Sequence, residues 1–190
     1  MRYFIFLLVF CFTLPAHAVE KLEWWDLNVA MQFNKNWSVG AKEFVGWGDN
    51  HRWIRYSSSD KPFSFEYRDV QFKDGTRDEN WYRLQWKHLN KEGFYYWSRL
   101  EYREIDGTKS HLRYRPRIGY KKNIGALGNT YIFIEPHWNM KDNTVPLIMT
   151  YVGTSWNVGN YNLGVFLQSQ SDDKYDMQRV FLGTDITYKF

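Results

Sequence analysis

Val180-Phe-Leu-Gly-Thr-Asp-Ile-Thr-Tyr-Lys-Phe190 ends the chain and decides its fold. Val180, Leu182, Ile186, Tyr188 and Phe190 share one face at period two, while Arg179, Gly183, Asp185, Thr187 and Lys189 share the other. A strand with lipid on one side and water on the other has this pattern. The chain is therefore expected to be all-β, an antiparallel transmembrane β-barrel closed by this strand.

The start of the chain points to a matching compartment. Residues 1–18 begin Met1-Arg2, continue as an apolar run and end in Ala16-His17-Ala18, which reads as a cleaved secretory signal peptide. Residues 19–190 are then one outer-membrane barrel domain, placed in the outer membrane of a Gram-negative cell. No later segment offers the roughly 20 unbroken apolar residues of a membrane-spanning helix. Cys11 is the one cysteine and leaves with the signal, so no disulfide or thiolate chemistry is expected. Phe10 precedes it, where a lipoprotein acceptor site has a small residue.

Composition agrees with a barrel. Aromatics make up 20% of the chain, with 10 Trp, yet the mean hydropathy of −0.61 is that of a polar protein. Both hold together if only every second residue faces lipid and rings gather at the two interfaces. The formal net charge of +4 is mild, and its placement matters more than its size.

Period-two character recurs in eleven segments, near 22–33, 37–47, 51–57, 62–72, 80–90, 94–105, 111–121, 129–139, 145–156, 160–169 and 177–190. Asn34–Asn36, Asn90–Gly93 and Asn157–Asn160 read as tight turns, expected in the periplasm. Lys73–Glu79, Asp106–Ser110, Lys141–Val145 and Gln170–Asp176 read as longer charged loops, expected outside. Alternation asks for a tight turn at Lys121–Asn129, where the sequence has a longer stretch. An even strand count with both ends in the periplasm is expected, by a hidden twelfth strand or by 51–57 merging into a ten-stranded barrel; the range is 10–12.

The seventh segment carries the main functional signal. With Leu112, Tyr114, Pro116, Ile118 and Tyr120 facing lipid, Arg113, Arg115 and Arg117 point inward. The two preceding strands add Arg99 and Arg103, then Arg83 and Lys87, so hairpin neighbours build one cationic patch on the lumen wall. Guanidinium groups in a confined space favour carboxylate or phosphate. Glu66, Glu101, Glu135 and Asp185 could neutralise the patch, and a plugged lumen stands beside an open one. Trp81, Tyr95 and Trp97 fall on the same face, where a ring beside a cation suits an acidic sugar or fills a narrow interior. Trp25, Trp37, Trp86, Phe94, Tyr114 and Tyr188 are read as lipid-facing girdle residues.

Leu112-Arg-Tyr-Arg-Pro-Arg117, the Glu135-Pro136 strand and the Ser171-Asp-Asp…Gln178-Arg179 approach to a Tyr-Lys-Phe end resemble the small monomeric porins of the oligogalacturonate and sialic-acid type. That resemblance implies a monomeric twelve-stranded barrel with an arginine-lined lumen admitting acidic oligosaccharides, Arg113, Arg115 and Arg117 being lumen cations. The chain equally resembles small uncharacterised outer-membrane barrels with Trp-rich first strands and Asn-Lys turns. Phe190 resembles the membrane-insertion signal read by the barrel-insertion machinery.

The expected partners are outer-membrane lipid, that machinery and small anionic solutes. An outer-membrane enzyme acting on lipid or peptide is the competing class, because His51, His88, His111 and His137 accompany Ser57 to Ser59 and Ser110. Their spacing gives no catalytic signature, so no enzyme is expected; a closed structural barrel is the third reading. No cofactor, metal site or nucleic-acid module is read from the sequence.

Overall fold

The structure, a computed structural model, describes residues 21–45, 49–72, 78–90, 93–107, 110–172 and 177–190. The signal peptide expected at residues 1–18 and parts of several expected loops lie outside these residues, as does the Trp25 side chain. The strands are β1 (Lys21–Gln32), β2 (Trp37–Val45), β3 (Asp49–Ser57), β4 (Phe63–Phe72), β5 (Asp78–Asn90), β6 (Gly93–Ile105), β7 (His111–Asn123), β8 (Asn129–Asn139), β9 (Thr144–Val158), β10 (Tyr161–Ser171) and β11 (Met177–Lys189). Each pairs antiparallel with its sequence neighbour, and the sheet closes into a barrel.

Closure corrects the even count expected from the sequence. Asp49–Ser57 is a full strand paired on both sides, and among the described residues there is no twelfth. With an odd number of up-and-down strands the first and last run the same way, so β1 joins β11 in parallel from Lys21↔Arg179 to Gln32↔Lys189. The chain therefore enters β1 at one end of the barrel and finishes at the other, where Phe190 N donates to Gln32 O at 3.3 Å.

That finishing end carries the tight turns. At Asn34–Asn36 the Asn34 Oδ1 accepts from the backbone of Asn36 (2.8 Å) and Trp37 (3.0 Å), an Asx turn that leads the chain into β2. The length of Lys121–Asn129 now has a reason. β7 runs on to Asn123, and a 3-10 turn at Gly125–Leu127 folds against the outside of β9. There Thr154 Oγ1 donates to Leu127 O and Trp156 Nε1 to Ala126 O at 3.2 Å.

Alternation sorts the wall as the sequence implied. Outside, an aliphatic belt containing Ile54, Leu84, Leu100, Ile118, Ile134 and Val165 is exposed. Two rows of rings flank it. Near the tight turns run Trp37, Tyr56, Phe63 and Trp86, then Phe94 with Tyr120, then Tyr161, Tyr188 and Phe190. Toward the other end lie Tyr67, Tyr82 and Tyr102, and Tyr114 with Trp138.

Inside, large rings lie flat against the wall because glycines face them across the strands. Gly183 opposes Phe166, and a Cβ there would come within 2.1 Å of that ring; Gly40 likewise makes room for Trp53 at 2.3 Å. Such cross-strand glycine and ring pairs are a known device of curved sheets.

Candidate functional site

The inward residues of adjacent strands line up in register rows. One row runs Arg55↔Glu66↔Arg83↔Glu101↔Arg113 across β3 to β7, alternating in charge. The next runs Trp53↔Arg68↔Trp81↔Arg103↔His111, alternating ring and cation up to a terminal histidine. Direct cross-strand neighbours lie about 4.5–5.5 Å apart at Cβ, so the rows place ion pairs and cation–π pairs without further adjustment.

The result is a continuous ion network from β3 to β8. Glu66 accepts from Arg55 Nε (2.8 Å), Arg68 Nε (3.0 Å) and Arg83 Nη1 (2.7 Å). Glu101 accepts from Arg83 Nε (2.6 Å), Arg103 Nε (2.8 Å) and Arg115 Nη1 (2.7 Å). Glu135 accepts from Arg115 Nε (2.9 Å) and Arg117 Nε (2.5 Å), with Arg99 3.9 Å away. Glu79 takes the Trp81 indole N–H at 2.6 Å and Arg103 at 3.3 Å. Arg103 also stacks on Trp81, 3.7 Å from the ring centroid, with Arg83 at 4.5 Å.

All ten nominated lumen residues, Trp81, Arg83, Lys87, Tyr95, Trp97, Arg99, Arg103, Arg113, Arg115 and Arg117, face one cavity of about 1420 Å3. Its lining reaches from Lys35 and Asn36 at the tight-turn end to Phe72, Pro146 and Arg179 at the other. Glu66, Glu79, Glu101 and Glu135 are not at its surface; they sit buried behind the arginines. Among the described residues Asp185, which accepts from Asn28 Nδ2 at 2.9 Å, is the one carboxylate that lines it. The network therefore occupies one wall and leaves space beside it, and the surface it presents to that space is cationic.

Arg55, Arg68 and Glu79 belong to the site and were not nominated from the sequence. The pairs Glu66-x-Arg68 and Glu79-x-Trp81, each two apart on one face, were a usable signal. The four histidines beyond residue 18 separate. His51 and His137 are buried inside the barrel rather than in loops, His88 stacks outside on Tyr96 at 4.6 Å, and His111 sits half-buried at the rim. His137 Nε2 lies 3.3 Å from Glu135 Oε1, but Ser57 ends β3 at the opposite end from His51. No helix among the described residues is long and apolar enough to cross a membrane, and none of them group into a metal-binding set of three. Compared with protein-family models, curated proteins and solved structures, the chain matches none.

Proposed function

We propose that this barrel sits in the outer membrane and passes small anionic solutes through its lumen, as a small porin. The observation that carries the reading is the cationic face on a cavity of about 1420 Å3, with its neutralising carboxylates behind it. Binding pockets for small molecules usually enclose about 300–1,000 Å3, so the space is ample for a solute of a few rings. The aliphatic belt between two rows of rings supports placement in a bilayer, where lipid tails meet the belt and the rings meet the headgroups. The secretory pattern of residues 1–18 supports export across the inner membrane.

The resemblance to oligogalacturonate and sialic-acid porins makes acidic oligosaccharides the first solutes to try. Purified protein in planar bilayers is expected to show discrete, anion-selective conductance. Replacing Arg113 and Arg179, which line the mouth away from the tight turns, with Gln should shift the reversal potential toward zero selectivity. No conductance at all would refute passage.

A further inference from the structure

The two ends of the barrel differ in charge. Among the described residues, the exposed charged side chains at the tight-turn end are Lys35, Lys61, Lys122 and Lys189 against Asp60 alone. At the other end Asp78, Glu104, Asp106 and Asp142 outnumber Arg52 and Lys141. None of the four lysines forms an ion pair with a described residue.

Each of these lysines stands beside a ring of the row that flanks the aliphatic belt. Lys35 and Lys61 precede Trp37 and Phe63 by two residues, Lys122 follows Tyr120 by two, and Lys189 lies between Tyr188 and Phe190. Trp37 is 43% exposed, Tyr120 40% and Phe190 72%. The lysines come from the β1–β2 turn, the β3–β4 turn, the end of β7 and the end of β11, so they are spread around the rim instead of forming one patch. Lys35 and Lys122 also border the cavity, which sets them at its mouth.

A lysine beside an interfacial ring lays its methylene stem along the apolar wall and lifts its ammonium to headgroup level. The oxyanion it meets there is a lipid phosphate. A zwitterionic headgroup brings its own ammonium to that phosphate, whereas an anionic headgroup leaves a net charge for the lysine. A basic side chain near an anionic membrane surface strengthens association about fivefold. The spread around the rim separates a lipid from a folded partner. An acidic protein would touch one arc and leave the other lysines unused, while lipid headgroups encircle the barrel.

We propose that Lys35, Lys61, Lys122 and Lys189, each with its neighbouring ring, form an annulus that selects anionic phospholipids in the leaflet at the tight-turn end. The proposal rests on the placement of the barrel in a bilayer and adds a headgroup charge and a side to it. The acidic end, by the same reasoning, has no such preference.

The test is electron spin resonance of the full-length barrel refolded into phosphatidylcholine vesicles that carry a trace of acyl-chain spin-labelled phosphatidylglycerol or phosphatidylcholine. Lipid held at the barrel wall gives a motionally restricted component, and its size yields the relative association of the two lipids. Phosphatidylglycerol is expected to associate about twofold or more over phosphatidylcholine at low salt, and equally in about 1 M sodium chloride, where charges are screened within a few ångströms. The variant with Lys35, Lys61, Lys122 and Lys189 all replaced by Gln should lose the preference. Arg52→Gln with Lys141→Gln, which removes positive charge from the other end, should keep it. Heat-modified gel mobility checks that each variant is folded. Equal association of the two lipids with the native chain overturns the annulus and leaves these lysines to an acidic protein. A preference that survives the fourfold variant, or a loss of equal size in the Arg52 and Lys141 variant, overturns the assignment to this rim. Absence of any restricted component, with either lipid, instead overturns the bilayer placement itself.

Discussion

Arg115 shows what a single side chain does here. It bridges Glu101 and Glu135, and the side chains of all three are nearly fully buried. Removing one partner of a buried ion pair typically costs about 3–5 kcal/mol, because a charge stays behind without its counterion. Arg115→Ala is therefore expected to lower stability by that amount, read from the urea midpoint of refolded barrel, and Lys87→Gln, half-buried beside the cavity, to move it by less than about 1 kcal/mol. Equal shifts in the two variants would refute the distinction. A size change at the inner wall is a separate case: Gly183→Ala puts a methyl against the Phe166 ring, and overpacking of this kind costs about 1–3 kcal/mol. Trimming the ring as well, in Gly183→Ala with Phe166→Leu, should recover part of the loss. Parity alone placed Arg83, Arg99, Arg103, Arg113, Arg115 and Arg117 inside from the sequence. It gave no register, so it did not show that Glu66 and Glu101 each hold three guanidiniums, or that Glu79 and Arg55 join them.

Among the elements, the β7 and β8 pair has an interrupted ladder. Its register runs from Arg113↔Asn139 and Tyr114↔Trp138 directly to Ile118↔Ile134. Constant register sets Pro116 opposite Pro136 in the gap, and neither has an N–H to donate. Arg117 and Arg115 reach Glu135 across this stretch, so side chains join the two strands where the backbone does not. Replacing both prolines with Val is expected to supply ladder hydrogen bonds and raise stability by about 1 kcal/mol, the usual net value of one or two such bonds. A urea midpoint at or below that of the native chain would show that the gap carries no such cost. Strand extents were legible to within a few residues, because period two persists through each segment. The Gly125–Leu127 turn was not. Its length is set by packing onto Thr154 and Trp156, some thirty residues later in sequence.

For the whole molecule, the odd strand count sets the start of β1 and the finish of β11 at opposite ends of the barrel. β1 begins at the end bearing the Asn143 loop, whereas β11 finishes beside the Asn160 turn, where Lys189 N donates to Asn160 O at 2.9 Å. On the outer-membrane placement proposed above, a bulky maleimide is expected to label Asn143→Cys in intact cells. It should reach Asn160→Cys only after the outer membrane is permeabilised, and the opposite pattern would invert the orientation. The sequence made the barrel legible through its alternating faces. It left the parity of the count open, because closure is a pairing between residues more than 150 positions apart, such as Lys21 and Arg179.

The alternating charge row has a consequence for how the strands find one another. A strand that slips by two residues keeps its apolar side outward, so hydrophobicity does not reject the error. Charge does. Arg83 stands opposite Glu101, which is flanked on its own face by Arg99 and Arg103. A two-residue slip of β6 in either direction sets Arg83 against another arginine inside a poorly screened wall, where like charges repel strongly. The row acts as a proofreader of shear during assembly, and a chain with Glu101→Gln should form misregistered barrels more often even where its correctly paired fraction is stable.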